Sequence, residues 1–531
     1  MTSPRSRWAA FLATALSLVA GPAAAENGYS FLDASRSAID YRVAPAAPRS
    51  PCGDLRTLSA GEMTIVSAES VAVSGAVPAF CRVLGVIQPE IQFEVALPAA
   101  WNRRLYMRGN GGFAGEALDG PPRLSLRNAA LGHGFVAVQT NTGHDAGAEP
   151  LATFAGQSLQ KRIDYAFRAV HVTVQAAKRL ASAYYDRPVA FSYWDGCSTG
   201  GRQGLMSAQR FPGDFDGIIA GAPVLNFVDT MVWNLWNAKA LAAAPLSLEK
   251  IALVADAIYR RCGNADGLVD DPRKCDFDPA RDLPTCAAGA ERAGCVTPGQ
   301  IRALQAIYGG VVIGGKPYFP GVPLGAERAG KQPLGGGGPS SGWDQWLINP
   351  SGKSRQVLFA ESFTRHMAFP RPDPDYDWST FDFDRDPARM NAVRALLDAR
   401  DADLSEFRGR GGKIIMYFGW ADTALTPYMG IDYYERVVAT MGPRTGDFFR
   451  LFMVPGMFHC RGGIGPDRFD ALTPLINWVE GGQAPSRIVA DQEEGGVVVR
   501  TRPLCPYPQV ARYTEAGLRT DATSFVCRDP S

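Results

Sequence analysis

The stretch that decides the fold reads Val189-Ala190-Phe191-Ser192-Tyr193-Trp194-Asp195-Gly196-Cys197-Ser198-Thr199-Gly200. Its first half is apolar and aromatic and predicts a strand that ends at Trp194, and the residues from Arg202 to Arg210 favour a helix. Between them, Gly196 to Gly200 fits the pattern G-x-S-x-G. In a strand–turn–helix context this pattern exposes the serine hydroxyl at the end of a sheet, with glycines that let helix and strand pass closely. We predict Ser198 as a nucleophile; a structural serine in a glycine-rich turn is the alternative.

The segments before this motif alternate between strands and helices. The apolar residues between Leu159 and Tyr185 recur at helical spacing. Strands are predicted in the segments 83–87, 93–97, 104–107 and 134–139. Alternation of this kind is typical of a mainly parallel sheet with helices on its faces. The predicted fold class is therefore α/β, and the serine motif specifies an α/β-hydrolase fold with a large insertion.

The regular alternation breaks after Pro223 and resumes at a strand over 412–418, which another over 448–454 follows. A chain of 531 residues is also too long for one core, because single cores stop growing at roughly 250–300 residues. We therefore predict a catalytic domain formed by residues 26–225 and 408–531. A lid domain over 226–407 is predicted as the insertion between them.

A serine needs a base to take its proton, and in this fold the partners follow in the order serine, acid, histidine. The chain holds five histidines: His133, His144, His171, His366 and His459. The first three precede Ser198, and the fourth lies inside the insertion. His459 follows the strand over 448–454 through a short loop, where the base of this fold belongs. We predict His459 as the general base.

The acid that orients the base is expected just after the preceding strand. Asp422 follows the strand over 412–418 through Gly419-Trp420-Ala421. It would hold the imidazole in the correct tautomer and stabilise the imidazolium. Asp432 and Glu435 lie farther from the end of the strand and fit less well. A helix cap is an alternative or additional role for Asp422.

The oxyanion hole requires two backbone N–H groups that point at the developing negative charge. The residue after the nucleophile, Thr199, is expected to supply one of them. The other is expected from the glycine loop after the strand over 104–107, where both Gly111 and Gly112 are candidates.

The N-terminus is typical of a secretory signal peptide. Arg5 and Arg7 supply positive charge, an apolar stretch too short to span a bilayer follows, and three alanines end the segment. We predict a signal peptide over residues 1–25, cleaved after Ala25, and a secreted or periplasmic protein without a membrane span. The formal net charge of +1 gives no electrostatic reason to expect nucleic acid or an anionic membrane as a partner.

Ten cysteines in an exported chain point to disulfide bonds. Several lie in pairs close together in sequence: Cys52 and Cys81, Cys262 and Cys275, Cys286 and Cys295, Cys505 and Cys527. A zinc site is the weaker interpretation, because the chain has no C-x-x-C and no histidine beside the close pairs. Cys197 and Cys460 each adjoin a predicted catalytic residue. A disulfide, which needs Cα atoms roughly 4.4–6.8 Å apart, is compatible with that arrangement.

At these residues the chain resembles the tannase and feruloyl esterase family. The matching elements are Gly196 to Gly201, Asp422 in Trp420-Ala421-Asp422, and His459-Cys460. The likeness covers nearly the whole mature chain. It implies hydrolysis of esters of aromatic acids, with galloyl, feruloyl or terephthaloyl groups. It also implies five disulfides: Cys52–Cys81, Cys197–Cys460, Cys262–Cys275, Cys286–Cys295 and Cys505–Cys527.

The resemblance further implies a structural calcium ion in the lid, within an aspartate-rich loop that a disulfide encloses. Here the loop reads Gly263-Asn264-Ala265-Asp266-Gly267-Leu268-Val269-Asp270-Asp271. Calcium takes about six to eight oxygen ligands, and Asp266, Asp270 and the carbonyl of Leu268 are the candidates. The loop is shorter than the usual one in the family and lacks its first aspartate, so a solvated acidic turn is the alternative. No organic cofactor is expected.

Together these residues predict a secreted serine esterase that works through an acyl-enzyme on a small aromatic ester. Two alternatives stay open: an amidase or peptidase with the same triad, and a non-catalytic binding protein on a hydrolase scaffold. The oligomeric state also stays open. Aromatic residues of the predicted lid are candidates for a substrate wall, although most are expected in its core: Trp233, Trp236, Trp343, Trp346, Phe363, Tyr376 and Trp378.

Overall fold

The computed structural model describes residues 29–42, 45–156, 158–287, 290–333 and 339–530. The predicted signal peptide and its cleavage site lie outside these residues. In the described part of the chain, no helix is both long and apolar enough to cross a membrane.

The first half of the described chain builds most of one large sheet. Its strands are β1 (Met63–Val71), β2 (Phe80–Ile87), β3 (Ile91–Pro98), β4 (Arg104–Arg108), β5 (Val136–Thr140), β6 (Phe191–Cys197) and β7 (Gly217–Gly221). Its helices are α1 (Pro121–Gly132), α2 (Leu159–Ile163), α3 (Ala169–Tyr185) and α4 (Thr199–Arg210). Short 3-10 turns lie at Ala34–Arg36, Cys52–Leu58 and Thr153–Ala155. The helix predicted over 159–185 is present, with a π-helical turn at Asp164–Arg168 that joins α2 to α3.

The block that follows β7 is mainly helical. Its helices are α5 (Phe227–Ala243), α6 (Leu248–Cys262), α7 (Pro279–Asp282), α8 (Pro298–Gly309), α9 (Arg355–His366), α10 (Asp386–Arg389), α11 (Asn391–Leu397) and α12 (Ser405–Gly409), with 3-10 turns at Pro272–Lys274 and Trp378–Thr380. Two small sheets pair β8 (Val311–Ile313) with β9 (Lys316–Phe319), and β10 (Ala329–Lys331) with β11 (Pro339–Ser341). Of the described residues in this block, none adds a strand to the large sheet.

The chain then returns to the large sheet with β12 (Lys413–Gly419) and β13 (Phe449–Val454). Helices α13 (Pro427–Met441) and α14 (Leu472–Gly481) follow these strands, with 3-10 turns at Pro443–Asp447 and Ala522–Ser524. Two ribbons end the chain, and they pair β14 (Ile488–Glu494) with β15 (Val497–Leu504), and β16 (Val510–Tyr513) with β17 (Phe525–Arg528).

The strands of the large sheet lie in the order β1-β2-β3-β5-β4-β6-β7-β12-β13. β1, β2, β3 and β5 pair antiparallel, and the pairings from β5 to β13 are parallel. The predicted α/β fold with a mainly parallel sheet is confirmed. Because parallel strands end at the same edge, the loops after β4, β6, β12 and β13 meet there. These are the loops that carry the predicted catalytic residues.

The sequence pattern predicts neither β1 nor β7. β7 has five residues, begins and ends with glycine and is buried throughout, so it shows no alternation that would distinguish it from a turn. The strand predicted to end at Trp194 continues as β6 to Cys197. The reason is tertiary, because Asp195 to Cys197 pair with Ile219 to Gly221 of β7.

The inserted block and the large sheet share one hydrophobic core. Phe227, Trp233 and Phe363 of the block belong to the same buried cluster as Leu205 on α4 and Ile415 on β12. The block therefore packs as part of the whole molecule, and its limits as a separate lid domain stay a prediction.

Candidate active site

The turn after β6 carries Ser198 in a strained backbone conformation, with φ of 62° and ψ of −123°. Its N–H donates to the carbonyl of Gly221 (2.9 Å), and its own carbonyl accepts from the N–H of Arg202 (3.0 Å). A Cβ atom at Gly196 would lie 2.5 Å from the carbonyl carbon of Gly200, so α4 approaches β6 this closely only because Gly196 has no side chain. The turn holds the half-buried side chain of Ser198 at the wall of a cavity.

The loops after β12 and β13 bring Asp422 and His459 together. Nδ1 of His459 lies 2.8 Å from Oδ2 of Asp422, and both side chains are buried. The other carboxylate oxygen accepts hydrogen bonds from the N–H groups of Ala424 (2.9 Å) and Leu425 (3.0 Å). Because α13 begins at Pro427, Asp422 caps a turn before the helix and not the helix itself. The carboxylate orients the imidazole and holds its own loop at the same time.

The other candidate acids and bases lie elsewhere. Asp432 and Glu435 are exposed on α13, where they bond to Arg436 and Tyr507. Among the described residues, His459 is the histidine that shares a cavity with Ser198. The remaining four histidines, His133, His144, His171 and His366, do not line it.

The glycine loop after β4 reaches the cavity through Gly112, which lines it beside Thr199. The carbonyl of Gly112 accepts hydrogen bonds from the hydroxyls of Thr199 (2.6 Å) and Tyr165 (2.9 Å). The N–H of Gly111, in contrast, donates to Oε1 of Glu116 at 2.7 Å. Of the two glycines that the sequence left open, Gly112 is therefore the candidate donor to an oxyanion.

A buried polar network supports this glycine loop. Oε2 of Glu116 accepts from the side-chain amide of Asn110 (2.7 Å) and from Arg123 (3.1 Å). Burial raises the pKa of Glu116, but the guanidinium of Arg123 and the donated hydrogen bonds outweigh burial, and the net effect lowers it. Oε1 of Gln203, on α4, accepts from the N–H of Asn110 (3.0 Å). The network thus ties the glycine loop to the helix that begins directly after Ser198.

The disulfide Cys197–Cys460 joins the serine turn to the histidine loop, with Cα atoms 6.1 Å apart and a sequence separation of 263. The other four bonds implied by the family resemblance are also present: Cys52–Cys81, Cys262–Cys275, Cys286–Cys295 and Cys505–Cys527. Five disulfides are typical of proteins that fold in an oxidising compartment.

Ser198 and His459 line a cavity of about 70 Å³ whose wall is largely apolar. The apolar wall comprises Val224, Phe227, Met231, Trp346, Phe359, Ala424 and Leu425. The ring of Trp346 meets the imidazole of His459 edge-on, with 5.5 Å between the ring centroids. Of the seven aromatic residues predicted for a substrate wall, Trp346 alone lines this cavity. Trp233, Trp343 and Phe363 are completely buried, as expected for core residues.

Arg355 adds a positive charge to the cavity wall. It begins α9, is half-buried, and holds its guanidinium carbon 5.8 Å from the ring centroid of Trp346. Burial lowers the pKa of this guanidinium. In the part of the chain that the structure describes, no carboxylate lies within ion-pair distance of Arg355. A cation in this setting can pair with a negative group on a ligand.

The predicted calcium ligands lie in the loop after α6, and each already contacts a guanidinium or an N–H group of the protein. Oδ2 of Asp266 lies 3.1 Å from Nη2 of Arg502. The carbonyl of Leu268 accepts from the N–H of Asn264 (2.8 Å), and Oδ2 of Asp270 accepts from the side-chain amide of Asn264 (2.7 Å). Among the described residues, no three acidic, histidine or cysteine side chains form a metal-binding group. With an arginine at its buried carboxylate, this donor set does not fit a calcium ion.

Two residues of the site, Glu116 and Arg355, carry no recognisable signal in the sequence. Arg355 and Phe359 stand four residues apart on α9, which places both on one helix face, but many helices contain such pairs. Glu116 follows the glycine loop without any motif of its own. Both gain their positions from contacts with elements that are distant in sequence.

Comparison with known proteins identifies the family to which the chain belongs. The family model described as "Tannase and feruloyl esterase" matches residues 74–528. An uncharacterized esterase of Xanthomonas campestris pv. campestris is 36% identical, with 95% of each chain covered. The mono(2-hydroxyethyl) terephthalate hydrolase of Piscinibacter sakaiensis is 35% identical, with 87% of each chain covered. The crystal structure of feruloyl esterase B from Aspergillus oryzae matches with a TM-score of 0.77 at 26% identity, over 89% of this chain and 98% of that one.

The family match runs from β2 to β17, and it includes the inserted block and the loops that carry Ser198, Asp422 and His459. The resemblance first noted at these three residues is thereby confirmed over most of the chain. The protein is a carboxylic ester hydrolase, and it belongs to the tannase and feruloyl esterase family.

Proposed function

We propose that this chain is a secreted serine esterase of the α/β-hydrolase type that hydrolyses small esters of aromatic acids. Ser198 is the nucleophile, His459 the general base and Asp422 the acid that orients it. The observation that carries the proposal is the buried His459–Asp422 pair in a cavity that the strained serine also lines. A base held by a carboxylate in this way is the arrangement that activates a serine hydroxyl.

In the proposed reaction, His459 takes the proton of the Ser198 hydroxyl while the oxygen attacks the ester carbonyl carbon. The tetrahedral intermediate collapses to an acyl-serine, and the imidazolium returns the proton to the departing alcohol. Water then attacks the acyl-serine with His459 again as base, which releases the carboxylic acid and restores Ser198. Asp422 bonds to Nδ1 throughout, so that Nε2 is the nitrogen that handles the proton.

The oxyanion of each tetrahedral intermediate is proposed to accept hydrogen bonds from the N–H groups of Thr199 and Gly112. Donors that are held in place before the reaction stabilise developing charge without reorganisation. The two hydroxyl groups on the Gly112 carbonyl, and the Glu116 network behind Gly111, support such a fixed position.

The cavity wall supports an aromatic acyl group. Trp346 and Phe359 offer aromatic surface, and Arg355 offers a cation to a substituent of that ring. Mono(2-hydroxyethyl) terephthalate, the ester in the name of the Piscinibacter sakaiensis relative, is an aromatic acid ester with one unesterified carboxyl group. We propose that the preferred substrates here carry a carboxylate or another electron-rich group on the aromatic ring.

The inserted block is proposed to act as a lid. Phe227, Met231, Trp346, Arg355 and Phe359 all come from residues 226–407, so this block supplies much of the wall opposite the triad. We also propose that the protein is exported after removal of residues 1–25, and its five disulfides support an oxidising destination.

The proposal is tested with a fluorophosphonate probe and a panel of substrates. Wild type should be labelled and should hydrolyse methyl gallate, methyl ferulate or mono(2-hydroxyethyl) terephthalate, whereas Ser198→Ala should do neither. Ser207→Ala, a buried serine on α4, is the matched control and should retain both properties. Near-normal hydrolysis by Ser198→Ala would refute the assignment of Ser198 as the nucleophile. Matched amides cleaved as fast as the esters would favour an amidase, and an unlabelled, inactive wild type would favour a binding protein.

A further inference from the structure

The loop that encloses the predicted calcium ligands is organised from within by Asn264. Its side-chain oxygen accepts from the N–H groups of Asp266 (2.8 Å) and Leu268 (3.0 Å), and its side-chain amide donates to Asp270 (2.7 Å). The disulfide between α6 and the residues after the loop closes it at its base. The amide of Asn264 thus sets the turn that an ion would set in a metal-binding loop.

Arginines of the C-terminal ribbons face this loop. Nη2 of Arg502 lies 3.1 Å from Oδ2 of Asp266, and the two side chains are 6% and 8% exposed. Nη1 of Arg519 lies 3.9 Å from the other carboxylate oxygen, and Arg500 donates to the carbonyl of Asp266 at 3.2 Å. The guanidinium carbon of Arg502 also lies 3.8 Å from the ring centroid of Phe525. Burial of a guanidinium at this depth requires a paired carboxylate, and Asp266 provides it.

The positive charge of Arg502 at the Asp266 carboxylate competes with a metal ion for the same position. The remaining acidic side chain at the end of the loop, Asp271, pairs with Arg273 at 2.8 Å. A divalent cation at Asp266 would stand beside a buried positive charge, and only a rearrangement of Arg502 would remove that repulsion.

We propose that the guanidinium of Arg502 takes the place of the family's structural calcium ion in this chain. The arginine comes from β15, so the loop of the inserted block is joined to the C-terminal ribbons by an ion pair within one chain. The stability of this protein therefore does not depend on calcium, and it depends on Arg502 and Asp266 together.

The first test measures the melting temperature of the wild-type protein in millimolar calcium chloride and in excess chelator. A resident ion would raise the melting temperature by mass action, and the proposal expects equal values in the two conditions. Calorimetric titration with calcium should likewise show no binding. A calcium-dependent rise that Asp266→Asn abolishes would overturn the proposal. The readout is stability, so its outcome does not depend on whether the chain is an esterase.

The second test is a double-mutant cycle on Arg502→Gln and Asp266→Asn. Each single change leaves a buried charge without its partner and should lower the melting temperature by roughly 5 °C. The double variant should lose less than the sum of the two losses. Arg519→Gln, at a longer distance and with its side chain 46% exposed, should lose less than Arg502→Gln. Additive losses would show that Arg502 and Asp266 do not interact, and they would overturn the proposal. If a variant melts at too low a temperature to measure, urea denaturation in the cold gives the same cycle.

Discussion

In the described part of the chain, two aspartate–histidine pairs have nearly the same distance between imidazole and carboxylate, and one of the two lies at the candidate active site. Nδ1 of His459 is 2.8 Å from Asp422, and Nδ1 of His171 is 2.9 Å from Asp214. In both pairs the carboxylate is buried. The side chain of His171 is 33% exposed and its ring stacks on Phe211, whereas that of His459 is 6% exposed and borders the cavity.

The surroundings of such a pair decide its chemistry. His171 and Asp214 join α3 to the segment before β7, and Gln175 on the same helix donates to the same carboxylate. The Asp214 carboxylate therefore holds two side chains of α3 in place, which is a structural role. His459 shares its cavity with a strained serine and a fixed glycine loop.

The largest effect is expected from the two histidines. His459→Ala should lower kcat by roughly 10⁵-fold or more, because the serine loses its base. His171→Ala should leave kcat nearly unchanged and should lower the melting temperature slightly. Steady-state kinetics on one aromatic ester, with thermal melts of both variants, make the comparison. A similar loss of kcat in the two variants would mean that the pairs do not differ as described.

The two carboxylates should differ almost as much. Asp422→Asn keeps the shape of the side chain but favours the wrong tautomer of His459, and kcat should fall by about 10⁴-fold. Asp214→Asn should change kcat by less than about 2-fold, because its histidine performs no proton transfer in the proposed mechanism. An active Asp422→Asn variant would contradict the orienting role of this aspartate.

A smaller effect is expected from Glu116, a positioning residue behind the glycine loop. Glu116→Gln should lower kcat about 10-fold with little change in KM, because the hydrogen bonds that fix Gly111 and Asn110 weaken while the substrate wall stays intact. Glu480→Gln is the control, since Glu480 is a buried carboxylate on α14 that binds Arg104 at 2.6 Å, at the opposite end of β4 from the glycine loop. The control should lose stability without a comparable loss of kcat. Equal losses of kcat in the Glu116 and Glu480 variants would mean that Glu116 has only a structural role.

An effect of similar size, on KM and not on kcat, is expected from Arg355. Arg355→Gln should raise KM about 10-fold for an aromatic ester that carries a carboxylate, because the charge-assisted hydrogen bond is lost. For a neutral methyl ester of similar size, KM should change by less than about 2-fold. Competition between the two esters measures the ratio of their kcat/KM values, which should shift against the carboxylate ester in the variant. An unchanged preference would remove Arg355 from substrate selection.

The order of elements along the chain predicts most strands of the large sheet, although not β1 or β7, and it places the candidate triad after three of these strands. Ser198, Asp422 and His459 each follow a strand, and a parallel sheet brings strand ends together whatever the length of the insertion. The choice between Gly111 and Gly112 depends on the side chain of Glu116. The fit of the calcium loop depends on Arg502, which lies far along the chain from Asp266. No local pattern records such pairings.

The disulfide beside the site has a consequence for how the protein is made. The chain emerges from the ribosome at roughly 5–20 residues per second, and Cys197 precedes Cys460 by 263 residues. During that interval the four cysteines Cys262, Cys275, Cys286 and Cys295 become accessible to its thiol. Any bond that Cys197 forms with one of these cysteines must be exchanged for the bond to Cys460 before the serine turn and the histidine loop are joined. A host whose cytosol is reducing will yield the polypeptide without the covalent link between its serine turn and its histidine loop.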